Sequence, residues 1–219
     1  MSKYMRNLNY LLSNRVEPEK LQPENRMITI DGAISELYNN ARPKIMWILR
    51  EPHGKGGDSL LDYVISLSTP GSKHYLKGGS TYGVLAKVTY GVLNNLKTWG
   101  PWAHDRSMLF AELMKVAIIN LNKFGGKGRV NWRKIMPNIQ LCTQLTLEQL
   151  RILDPEIIIC AGTTWYVDKH VLRDEKLFDC FKALRYDGTI YVSAYHTGQS
   201  TITHQEYYRR IINAIRPLV

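Results

Sequence analysis

The sequence is short of cysteine and of acid, and it has no long apolar run. Its three cysteines, Cys142, Cys160 and Cys180, fall in no CxxC spacing. That excludes a disulfide framework and a four-thiolate cluster, so reduced thiols in a cytoplasmic protein are expected. No stretch approaches the roughly 18 apolar residues of a membrane span. The opening MSKYMRNLNYLLSNRVEPEK lacks the apolar centre of a secretory signal. Zinc spacings are missing, with His196 and His204 eight apart and His53 remote, so no metal and no cofactor is expected. GxxxxGK[ST] is absent, and GxGxxG does not follow the first apolar strand, which argues against a nucleoside-triphosphate cradle. There is no internal repeat and no low-complexity tract.

What is present is cation. Lys and Arg number 29 against 19 Asp and Glu, a formal +10 with an isoelectric point near 9.5. Such an excess favours a polyanionic partner, nucleic acid first, although a basic solubilising surface would give the same count. The 219 residues, 44% hydrophobic and 22% charged, suffice for one core and one domain. No coiled coil or dimer helix is visible, so a monomer is expected.

Four short apolar runs, Ile45–Leu49, Val116–Leu121, Ile157–Cys160 and Thr189–Ala194, read as buried strands. Between them, Leu60 to Leu67, Tyr82 to Leu96 and Leu145 to Leu153 show the three-and-four spacing of amphipathic helices. Crossovers this long imply parallel strands covered on both faces, a three-layer α/β/α sandwich around a central four-stranded parallel sheet. Residues 1–42 read as a helical N-terminal arm, in which Asp31, Ser35 and Glu36 open a helix that Arg42-Pro43 closes. The last helix runs from about Thr203 to Ile215, with Thr203 and Glu206 as a capping box.

Open parallel sheets bind ligands outside the carboxyl ends of their strands, and here those ends are polar. After the first strand, Arg50-Glu51-Pro52-His53 leads into a glycine-rich loop; Glu51 is either a fixed acid or half of an Arg-Glu pair capping a loop. After the second come Asn120 and Asn122. Their amides offer a donor and an acceptor together, as reading a nucleobase edge requires, and equally suit turns. After the fourth stands His196, able to donate to an oxyanion or accept a proton, or simply to bond backbone. Cys160, inside an apolar strand, reads as a small buried hydrophobe rather than a nucleophile.

This order of parts, a strand ending in a Pro loop, a strand ending in Asn, the strand Pro155-Glu156-Ile157-Ile158-Ile159-Cys160-Ala161-Gly162 and a strand ending in a His loop, resembles the uracil-DNA glycosylase superfamily. The similarity covers about residues 43 to 215. Aligning the prolines of GQDPYH-like motifs puts Glu51 where the family carries its water-activating residue, His53 at an aromatic or glycine position, and Leu49 in place of the usual glycine. His196-Thr197-Gly198 keeps the histidine of HPS and loses the two residues after it.

The resemblance implies that the protein binds DNA, single- or double-stranded, extrudes a damaged or deaminated base and hydrolyses its N-glycosidic bond. Glu51 and His196 would then be catalytic. Asn120, Asn122, Tyr82 and His53 would contact the base, with Tyr75 behind Tyr82. Lys55, Lys123, Lys127 and Arg129 would meet the backbone, and Ile202 would wedge into the stack. Two other functions fit the same residues: a nucleic-acid-binding protein of this fold without catalysis, and a hydrolase acting on a small nucleotide-like ligand.

Overall fold

The computed structural model describes residues 29–52, 59–68, 80–126, 131–173 and 179–219. In chain order the elements are β1 (Gly32–Ala33), α1 (Leu37–Asn40), β2 (Ile45–Leu49), α2 (Leu60–Ser66), α3 (Thr81–Leu93), α4 (Arg106–Leu113), β3 (Ala117–Asn120), α5 (Trp132–Leu141), α6 (Thr143–Leu153), β4 (Ile157–Ala161), α7 (Thr164–Val167), β5 (Ala183–Tyr186), β6 (Thr189–Ala194) and α8 (His204–Ile215). Among the described residues, no helix is long and apolar enough to cross a membrane.

The described residues fold as α/β around one mixed sheet of six strands in the order β1-β3-β2-β4-β6-β5. The four runs read from the sequence form its centre, parallel throughout. The sheet is nevertheless not four-stranded and parallel, because β1 and β5 add an antiparallel strand at each edge. Both are short, which limits the unpaired backbone an edge exposes. A tight turn at Asp187 (φ 46°) and Gly188 (φ 81°) joins β5 to β6, and such a turn suits the twist of a hairpin.

Continuous apolar runs suit strands buried on both sides, and the period of two sends alternate residues to opposite faces. Ile45, Trp47 and Leu49 join one buried cluster with Ile157, Ile159, Ile190 and Val192, where side chains of α2, α3, α4 and α8 cover the sheet. Met46 and Ile48 face the other way, with Ile158, Cys160 and Tyr191, under residues of α1, α5, α6 and α7. Cys160 is fully buried and its thiol is pushed well above the usual range by that burial. All three cysteines are free.

The segment read as a helical arm departs from expectation where it is described. Residues 29–42 contribute the edge strand β1 and only one helical turn, Leu37–Asn40. Asp31 opens no helix; it lies 5% exposed against the end of β3. Helix α3 stops at Leu93 instead of Leu96, because Asn95 (φ 56°) and Leu96 (φ 53°) adopt left-handed backbone. At α8 the Thr203 hydroxyl accepts from the Glu206 N–H at 3.1 Å, while the Glu206 carboxylate bonds Arg209 and Arg210.

Candidate active site

After β2 the chain supplies β3 on one side and then β4 on the other. Neighbouring connections therefore leave in opposite directions at the carboxyl ends of β2 and β4, the place where open α/β sheets form a crevice. Glu51 follows β2 by two residues and His196 follows β6 by two. With β4 between them, their strands stand about 10 Å apart, two inter-strand spacings. The intervening strand ends in Gly162 at φ +73°, which adds no side chain to the gap.

The β2–β3 ladder continues past its strands and sets the acid. Leu121 and Asn122 donate their N–H groups to the carbonyls of Leu49 and Arg50 at 2.9 and 2.8 Å, which brings Asn122 alongside Glu51. The Asn122 Nδ2 donates to Glu51 Oε2 at 3.4 Å, and its Oδ1 accepts from the Phe124 N–H at 3.1 Å. Both ends of that amide are thus engaged, and Asn122 positions Glu51. Gly126 packs against the same carboxyl group, and a Cβ there would overlap Glu51 Cδ. The Gly126 N–H donates to the Pro52 carbonyl at 3.0 Å, which closes the loop around the acid.

His196 is half-buried and its tautomer follows from one bond. The Gly198 N–H donates to Nδ1 at 3.1 Å, so the neutral ring carries its proton on Nε2. Burial, and then the nearby Arg50 guanidinium, push its pKa down to about 4. At neutral pH His196 is therefore an uncharged N–H donor. Arg50 is itself pulled down by burial and up by Glu51, so this one cation acts on both candidate groups. Its Nε is buried and has no hydrogen-bond partner among the described residues. The Thr81 hydroxyl at the start of α3 lies beside Gly198, so the helix that carries Tyr82 begins at the histidine loop. Tyr82 is half-buried, its ring 5.3 Å from that of Tyr63. Burial first, then Tyr63 and Asp31, hold its hydroxyl well above the usual phenol range, so it stays a neutral donor.

On the β3 side the structure corrects the cation assignment. Lys123, expected at a DNA phosphate, is 1% exposed. Its Nζ lies 2.8 Å from Asp31 Oδ1 and 2.7 Å from Gln149 Oε1. A buried ammonium is costly unless paired, and this one has its partners inside. Asn120 joins the same network, its N–H and Nδ2 donating to Asp31 Oδ2 at 2.7 and 3.3 Å. Because a carboxylate only accepts, Asp31 turns the amide nitrogen inward. The Oδ1 of Asn120 has no partner among the described residues. Ile202 packs against the larger core cluster, and its backbone is tied to the Gln199 side chain, so it does not stand free as a wedge. His53, Lys55, Tyr75, Lys127 and Arg129 lie outside the described residues.

Sequence reasoning missed Asp31, Gly126 and Gln149 as parts of the site, and Arg50 as a neighbour of His196. Asp31 did leave a signal: Met27-Ile28-Thr29-Ile30-Asp31-Gly32-Ala33-Ile34 places one carboxylate in an otherwise apolar stretch, where it requires a buried partner. Among the described residues, no three of His, Cys, Asp and Glu converge as metal ligands. No protein-family model matches the chain, and no curated protein matches its sequence.

Proposed function

We propose that the crevice hydrolyses the N-glycosidic bond of a nucleobase extruded from DNA, in a three-layer α/β/α domain that resembles the uracil-DNA glycosylases. The observation that carries this reading is a carboxylate set by Asn122 and Gly126 after β2 and, two strands away after β6, a histidine that is a neutral Nε2–H donor. As the C1′–N bond breaks, its electron pair passes to the base and positive charge develops on the sugar. Glu51 suits the sugar side, taking a proton from the water whose oxygen bonds to C1′. His196 suits the base side, where an uncharged donor stabilises the growing negative charge on a base oxygen. Tyr82 is the candidate for holding the base, since Asn120 is 1% exposed and its Oδ1 is buried.

Incubation with oligonucleotides carrying uracil, hypoxanthine or mismatched thymine, followed by alkaline cleavage of abasic sites, tests this. Strand breaks are expected, and Glu51→Gln should lower their rate at least about 100-fold, the usual contribution of a positioned general base. Strand breaks that persist unchanged in Glu51→Gln would remove the acid from the mechanism.

The burial of Lys123 favours a second reading, because it withdraws one of the four cations expected at the backbone. A site for a small nucleotide-like ligand needs fewer phosphate contacts. Release of base from free nucleosides but not from oligonucleotides would establish it.

A further inference from the structure

The outer face of α8 plays no part in the crevice, yet it concentrates exposed cation and aromatic surface. Its inward residues Tyr207, Tyr208, Ile211, Ile212 and Ile215 are buried, which leaves Arg209, Arg210 and Asn213 outward, with Arg216 beyond the last turn. A hollow of about 300 Å³ on one side is lined by Lys97, Trp99, Tyr208, Arg209 and Arg216 among others. A second, of about 410 Å³, is lined by Phe181, Lys182 and Arg210 on the other side and shares Asn213 with the first. Together the linings hold Lys97, Lys182, Arg209, Arg210 and Arg216 and no carboxylate. The acid on the ridge between them, Glu206, is shared by Arg209 and Arg210.

We propose that this face of α8 is a second contact for nucleic acid, outside the crevice, along which a single-stranded segment runs with its phosphates on Lys97, Arg209 and Arg216 and a base against Trp99. The twelve helical residues span about 18 Å at 1.5 Å each, long enough for several nucleotides of a single strand. Ring chemistry distinguishes the ligand from an acidic protein surface. Trp99 is half-buried, braced by Lys87 at 5.5 Å from its ring and by Tyr208 at 5.3 Å, and Arg210 lies 5.4 Å from the centre of Phe181. Aromatic rings interleaved with cations hold stacked bases without regard to sequence. The wall is firm, since the Tyr208 hydroxyl donates to the Lys97 carbonyl and the Lys97 Nζ to the Tyr90 hydroxyl at 3.3 Å. Helix α8 opens at His204, in the loop that carries His196, so a strand leaving the crevice reaches this face without crossing the sheet.

The proposal shares nucleic acid with the function proposed above but does not depend on cleavage. The test is binding of a fluorescein-labelled oligothymidylate, followed by anisotropy across a salt titration, for the wild type and the Lys97→Gln/Arg209→Gln/Arg216→Gln variant. Each lost phosphate contact on a single strand should lower the log–log slope by about 0.7, so the triple variant should lose about 2. Its thermal midpoint should hold, and Trp99→Leu should weaken binding at all salt concentrations with the slope intact. An unchanged slope in the triple variant overturns the proposal, as does polyglutamate binding as tightly as the oligonucleotide. A lowered slope in a protein that releases no base supports this contact while refuting the crevice chemistry. Base release with an unchanged slope does the reverse.

Discussion

Lys123 and the arginines of α8 carry the same charge in similarly polar stretches of sequence, yet they do opposite things. Lys123 follows the second strand among asparagines and glycines and is sealed in the interior by Asp31 and Gln149. Arg216 stands in solvent beside a hollow without a lining carboxylate, and Arg209, although paired with Glu206, keeps that pair at the exposed surface. The contrast teaches that a formal +10 is no count of ligand contacts. A cation serves a partner only where it stays at the surface, since an exposed ion pair contributes little and a buried one is sealed from any ligand.

The largest expected effect comes from breaking the buried side of this contrast. Lys123→Met should cost about 3–5 kcal/mol in urea unfolding, because Asp31 is left charged and uncompensated. Adding Asp31→Leu should recover only part of that loss, since it removes the uncompensated charge but takes the acceptor from Asn120 and Gln149. A single variant that unfolds like the wild type would mean that Lys123 is not sealed. Next is Gly126→Ala, whose new Cβ meets the Glu51 carboxyl carbon. An overpacked contact of this kind costs about 1–3 kcal/mol, and the displaced acid should slow base release by more than the stability change explains. Kinetics unchanged beside a measured stability loss would separate Gly126 from the positioning of Glu51.

His196 sharpens the comparison through pH. Its folded pKa of about 4 lies below the ordinary 6.5, so between these values the unfolded chain binds the extra proton. Stability is therefore complete above pH 6.5 and is lost as pH falls towards 4. In His196→Ala the thermal midpoint should fall less over that window, and equal acid sensitivity in both proteins would show that the histidine is not held neutral. The smallest effect is expected at the exposed side. Arg209→Gln and Arg216→Gln should each change stability by no more than about 0.5 kcal/mol, measured by urea unfolding. A larger loss would make them structural residues rather than ligand contacts.

Much of the fold was legible because its signals are local. Ile45–Leu49 and Ile157–Ala161 are unbroken apolar runs, which suit only strands buried on both sides. Thr203 was readable as a cap because its bond spans three residues. The hairpin at Asp187-Gly188 also carried its turn signal, but β5 is only half-buried and contains Arg185, so it lacks the apolar pattern of the central strands. Strand β1 is two residues long, too short for any period to show. Within the candidate site, Glu51 and His196 were legible from their place after apolar strands. Asp31 and the influence of Arg50 on His196 were not, because each links residues far apart in the chain.

The sequence by itself determined the α/β class, the four central strands, the cap of α8 and the strand ends from which the crevice residues project. These depend on periodicity and on neighbours within a few residues. Only the tertiary structure decided that Asp31 meets Lys123 across 92 positions, that Asn122 holds Glu51 across 71, and that Gly198 fixes the proton of a histidine beside Arg50. Whether a charge is buried with a partner or left to a ligand depends on packing between remote segments, and no local pattern encodes that distance.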